Sequence, residues 1–284
     1  MKISFKWSLT LFFTIFSFFA LSLAYFLIIK GLNTFQGEKI LTTFTWSDVL
    51  AGLTIYLKTS IDFAILIGIL MHAYRGYRNQ VIIESSTALG NMLGTVFVLT
   101  LWYFFKEFKW LLAMMIFFAS LVLLKLAYES LSHIKEGEEE KEVHKLVKTI
   151  TLFLNSFLEP INKFINPLLS KIMPSMKFDT GKKLDKKGLF LSAFTIPFIL
   201  GTDDFAGYVP LFNVVNVFGF GIGVFLGHMI LNVFLFINPK KTIQIVKNPF
   251  IAVAGSAVFV GLSAWGFYEV LHMVLKMIED FKPL

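Results

Sequence analysis

Seven long apolar runs separated by shorter polar breaks organise the chain: about residues 7–29, 47–71, 82–105, 109–131, 188–210, 213–237 and 249–276. Each reaches the roughly 20 residues that a bilayer-spanning helix requires, and the short connections predict antiparallel helical hairpins. One section breaks the rhythm. Residues 132–187 open with the charge run Lys135-Glu-Gly-Glu-Glu-Glu-Lys-Glu142. Apolar side chains then recur at helical spacing from Val143 through Val147, Ile150, Leu154 and Phe157 to Ile165, with Lys145, Lys148 and Lys163 on other faces. That pattern predicts a helix lying in the headgroup region of a membrane, which Pro160, Pro167 and Pro174 kink or end. The expected architecture is an all-α integral membrane protein of about seven transmembrane helices. It comprises an N-terminal span (1–30), a three-helix block (47–131), a charged and amphipathic linker (132–187) and a second three-helix block (188–276).

Composition supports this reading. Of 284 residues, 56% are hydrophobic, 34 are Phe and only 16% are charged, with mean hydropathy +0.72. A soluble domain carries about 25% charged residues, and a disordered chain has too little apolar surface, not too much. The absence of Cys removes disulfides and thiolate zinc sites, so any bound metal takes oxygen and nitrogen ligands. The net charge of +7 reflects topology, not nucleic acid. With seven spans, one side collects Lys2, Lys6, Arg75, Arg78, Lys240, Lys241, Lys247 and the eleven lysines of the linker. The opposite side holds Lys30, Lys39, Lys106, Lys109, Lys276 and Lys282. The positive-inside bias places the N-terminus and linker in the cytoplasm, at the cytoplasmic (inner) membrane. Ser22-Leu-Ala24 has the small residues of a signal-peptidase site, but the apolar run continues to Ile29, so an uncleaved anchor is expected. His133, His144 and the Glu run have metal-ligating chemistry, although a charge run of this kind is more often a solvated face.

Candidate chemistry emerges from an internal repeat. Thr59-Ser60-Ile61-Asp62-Phe63-Ala64 in the second run corresponds to Gly201-Thr202-Asp203-Asp204-Phe205-Ala206 in the fifth. Leu89-Gly90-Asn91-Met92 in the third corresponds to Leu226-Gly227-His228-Met229 in the sixth. Blocks with an odd number of spans have opposite orientations, and inverted repeats with a site at their interface are a transporter signature. An Asp near the centre of a spanning helix costs roughly 2.5–3.5 kcal/mol, so Asp62, Asp203 and Asp204 are the first candidate ligands. Aligning Phe-Ala matches Asp62 with Asp204; a slip of one residue matches it with Asp203. Lys58, one turn before Asp62, can offset its charge. Pro197, Gly201 and Pro210 predict local unwinding around the second motif. Asn91 and His228 add an amide and an imidazole, giving a mixed set suited to Mn, Zn or Cd. Secondary candidates are Ser60, Thr202, Glu84 and the i, i+3 pair Glu269 and His272. Glu84, Thr87, Asn91 and Thr95 share a stripe suited to lining an aqueous path or to interhelical hydrogen bonding.

These segments carry a family resemblance. Tyr56 to Ile69 with Asp62, then Tyr77-Arg78, then Leu89-Gly90-Asn91-Met-Leu-Gly94, resemble the first half of the bacterial cadmium-resistance transporter family. Thr202-Asp203-Asp204-Phe-Ala-Gly-Tyr208-Val-Pro210-Leu-Phe resembles its second signature. That family belongs to the lysine-exporter (LysE) superfamily, whose manganese-efflux branch has similar intramembrane Asp motifs. The resemblance covers residues 50–275 and implies two three-helix repeats and export of a divalent cation, with no catalytic residues and no cofactor. The chain departs from it in its extra N-terminal span, in lacking the family's Cys near the second motif, and in Asp204 where Asn is typical. Two alternatives stay open: export of an amino acid or other small solute, and an intramembrane aspartyl protease. The protease motif Gly-x-Gly-Asp is here Gly201-Thr-Asp-Asp204. The expected partners are the lipid bilayer and a divalent metal ion as substrate, without nucleic acid; a homo-oligomer is compatible with this reading.

Overall fold

The computed structural model describes residues 5–35, 39–135, 145–172, 184–212, 215–246 and 248–280. Within these, the side chains of 5–10, 62, 132–135, 145–146, 168–172, 200–207, 246 and 280 lie outside the description. Among the described residues the secondary structure is helical, without strands. The helices are α1 (Phe5–Leu32), α2 (Trp46–Thr59), α3 (Ile61–Ala73), α4 (Tyr77–Phe105) and α5 (Lys109–Lys135). They continue with α6 (Lys145–Ile172), α7 (Lys186–Tyr208), α8 (Val217–Ile237), α9 (Pro239–Val246) and α10 (Pro249–Asp280).

Five of the described helical stretches are long and apolar enough to cross a bilayer: Leu11–Leu32, Tyr77–Phe105, Lys109–Leu131, Val217–Ile237 and Pro249–Glu279. The bent pair Trp46–Thr59 and Phe63–Ala73 makes a sixth when read as one span. The remaining expected run coincides with α7, whose side chains at 200–207 lie outside the described residues. Polarity is arranged inside out. Phe12, Phe16, Phe19, Leu23 and Leu27 of α1 are exposed, as are Trp110 and Phe118 of α5, while Glu84, Asn91 and His228 are buried. Water does not tolerate so extensive an apolar surface, so the chain is a multi-pass, all-α membrane protein.

The chain forms two compact units. The first comprises residues 1–100, 179–204 and 212–244. In it α2 and α8 meet along a glycine seam. A Cβ on Gly52 would stand 2.0 Å from the Phe220 carbonyl oxygen, and one on Gly223 would stand 2.0 Å from that of Val49. Such near-backbone contact is how membrane helices associate where lipid offers no hydrophobic contrast. Thr45 and Asp48 form a capping box at the start of α2. Asp48 Oδ1 also accepts from Asn216 N at 3.1 Å, tying this cap to that of α8, where Asn216 accepts from Phe218 N and Gly219 N. α1 is integrated through Tyr25, whose hydroxyl donates to the Val217 carbonyl at 3.0 Å and whose ring packs edge-on to Phe225.

The second unit comprises residues 101–178, 205–211 and 245–284. Ser130 Oγ donates to the Ala252 carbonyl at 3.0 Å and Ser263 Oγ to the Ser120 carbonyl at 2.9 Å, binding α5 to α10. α6 presents Val147, Leu158 and Ile165 inward and leaves Leu152, Phe153, Phe157 and Phe164 exposed. It runs through Pro160 and Pro167 to Ile172, where the sequence predicts a kink or an end. Its inward packing on α5 holds the helix across both prolines. Pro174, His133's side chain, His144 and the Glu run lie outside the described residues.

Candidate functional site

The second apolar run is broken. α2 ends at Thr59, whose hydroxyl donates back to the Ile55 and Tyr56 carbonyls, each at 3.2 Å. Such back-bonding bends helices. Ser60 then serves as the C-cap of α2 and the N-cap of α3 without a side-chain cap bond, and the axis turns by 66°. Asp62 is therefore the second residue of a new half-helix, in the turn where free amides and the helix dipole favour negative charge. Its side chain lies outside the described residues, as do those of Thr202, Asp203 and Asp204.

The second motif behaves differently. α7 remains helical through Pro197, Gly201, Asp203 and Asp204, and the expected unwinding is displaced to a single 3-10 turn at Val209–Leu211, which contains Pro210. The reason lies in close packing. A Cβ on Gly90 of α4 would stand 2.3 Å from the Phe194 carbonyl oxygen and 2.9 Å from Pro197 Cγ. α7 is thus clamped against α4 at its proline.

The first unit's core holds a buried polar cluster. His228, at 0% exposure, has both ring nitrogens engaged: Nδ1 lies 2.6 Å from the Tyr56 hydroxyl and Nε2 lies 3.0 Å from Asn232 Nδ2. With the amide donating to Nε2, the ring proton sits on Nδ1 and is donated to the Tyr56 oxygen. Phe63 packs against the same imidazole, with centroids 5.1 Å apart. Asn232 Nδ2 also donates to Thr87 Oγ1 at 3.2 Å, linking α8 to α4. Asn91 is buried, its carbonyl accepts from Thr95 Oγ1 at 2.9 Å, and its Nδ2 has no partner. Glu84 is 1% exposed, and its Oε1 accepts a hydrogen bond from Thr14 Oγ1 of α1.

The first unit therefore gathers Asn91, His228 and Glu84 in its buried interior, together with Ser60 at the break and half-buried Lys58 in the last turn of α2. Glu269 and His272 belong to the second unit, where Glu269 is half-buried and His272 is exposed and stacked on Tyr268. Among the described residues, no three His, Asp or Glu side chains converge on one point as metal ligands. Three partners were not singled out as site residues from sequence: Tyr56, Asn232 and Thr14. Asn232 has a legible signal, since it follows His228 by one helical turn. Thr14 has none, being a lone hydroxyl in a Phe-rich run. No protein-family model matches this chain, and neither the curated proteins nor the solved structures contain a match.

Proposed function

We propose that this protein is a secondary transporter that exports a divalent metal cation across the cytoplasmic membrane by alternating access. Asp62 and Asp203 bind the cation between two inverted repeats, α2–α3, α4, α5 and α7, α8, α10. The observation that carries this reading is the break at Ser60, which sets a half-helix N-terminus beside an intramembrane carboxylate. Discontinuous helices at charged motifs are how transporters build ion sites at membrane depth.

The contact pattern supports the repeat and one of its two registers. Gly90 of α4 lies against Phe194 and Pro197 of α7, and Gly227 of α8 lies against Leu53 and Tyr56 of α2. Matching Gly90 with Gly227 makes Leu53 and Tyr56 the counterparts of Phe194 and Pro197, an offset of 141 residues. That offset pairs Asp62 with Asp203, whereas the Phe-Ala alignment pairs it with Asp204. His228, with both nitrogens committed within the protein, tunes the site and positions Tyr56 one turn before the break; Asn91, its counterpart, keeps a free amide donor. Lys58 compensates Asp62 when the cation is absent. The N-terminus and the linker face the cytoplasm.

The test uses proteoliposomes and a panel of Mn, Zn and Cd ions and amino acids, with and without a pH gradient. Transport of a divalent cation by the wild type, reduced at least roughly a hundredfold in Asp62→Asn and Asp203→Asn proteins that insert normally, is expected. Wild-type efflux from both variants, or movement of amino acids alone, overturns the reading.

A further inference from the structure

Two buried acceptors in the first unit's core have no donor. Glu84 Oε1 receives the Thr14 hydroxyl, but Oε2 has no partner. Asn232 Oδ1 likewise has none, because the amide nitrogen serves both Thr87 and His228. Thr87, one turn beyond Glu84, donates its proton to the Glu84 carbonyl at 2.9 Å and so presents only lone pairs to its surroundings. Glu84, Thr87 and Asn232 are each at most 1% exposed. A carboxylate deprived of water costs several kcal/mol unless a counter-charge accompanies it.

Among the described residues, α1 supplies the neutral Thr14, α7 brings Phe194 and Pro197 beside Gly90, and α2 and α8 bring Tyr56 and His228. Among the described residues no Lys or Arg pairs with Glu84. A buried set of oxygen acceptors of this kind is completed by a small cation.

We propose that Glu84 and Asn232, with Thr87 between them, form a second cation site in this protein, taking a monovalent ion, either Na+ or a proton held on the carboxyl. It uses residues other than Asp62 and Asp203, and in a transporter it is the seat of the driving ion. That role rests on the function proposed above; the site does not. Thr14 positions the carboxylate, so the N-terminal helix contributes to ion coupling.

The experiment uses the purified full chain in nanodiscs, without any divalent ion. In one arm NaCl replaces choline chloride at constant ionic strength and the unfolding temperature is followed. In the other, Na+-free protein is titrated with alkali while the infrared band of protonated carboxyl groups is recorded. One arm responds in the wild type, and that response disappears in Glu84→Gln. In Asn232→Leu the midpoint of the same arm moves roughly tenfold in concentration. Should Glu84→Gln fail to fold, Glu84→Asp and Thr14→Val replace it and shift the same midpoint. Responses equal to wild type in the variants, or no response in either arm, overturn the site. Neither arm depends on divalent transport, so a failed transport assay leaves this result readable, and the reverse holds as well.

Discussion

His228 is held as a buried imidazole: Tyr56 and Asn232 take its two nitrogens, and Phe63 covers the ring. A side chain so satisfied has little to offer an incoming ion, which turns attention to the carboxylates. Asp203 and Asp204 are adjacent positions on an uninterrupted helix, about 100° apart around its axis, so only one position can share a register with Asp62. In the function proposed above that position is Asp203. Asp204→Asn is therefore expected to keep transport within about threefold of wild type, while Asp203→Asn loses it by roughly a hundredfold. Initial efflux rates at matched protein density in the membrane check this, and equal losses in the two variants reject the register. The sequence revealed that the aspartates are costly at membrane depth. Choosing between neighbours required a contact from another helix.

The seam between α2 and α8 is an interaction of whole helices, maintained by glycines. At Gly223 an added methyl would meet the Val49 carbonyl at 2.0 Å, and neither backbone has a flexible side chain to move aside. Gly223→Ala is expected to destabilise the protein by about 1–3 kcal/mol. Gly261 of α10 provides the control: a Cβ there meets nothing within 4 Å. Gly261→Ala is expected to be neutral or to stabilise by about 0.5–1 kcal/mol through lost chain entropy. Unfolding temperatures in one detergent resolve the difference. The spacings Gly90-x-x-x-Gly94 and Gly223-x-x-x-Gly227 carry the signal for close packing at Gly90 and Gly223. The break in the second run was less legible: prolines marked the second motif, yet the bend falls at Thr59–Ser60, where hydroxyl back-bonding acts with no proline nearby, and α7 stays helical because α4 clamps it.

Across the described residues, many large apolar side chains are exposed while amides, hydroxyls and a carboxylate are buried. The Cys-free sequence makes topology directly measurable. Single cysteines introduced at Ser4 and Ser175 are expected to react with a membrane-impermeant maleimide only after inner-face exposure. One at Lys282 is expected to react from outside in intact cells; the opposite pattern reverses the orientation. Apolar runs, linker and intramembrane charges could all be read from the chain because each is a local quantity: the transfer cost of a residue depends on its own sequence neighbours. The pairing of Glu84 with Thr14, 70 residues away, and of His228 with Tyr56, 172 residues away, could not. Which face each helix turns to its neighbours, and at what height, is set by packing between distant segments, and that packing converts scattered polar residues into a connected, buried site.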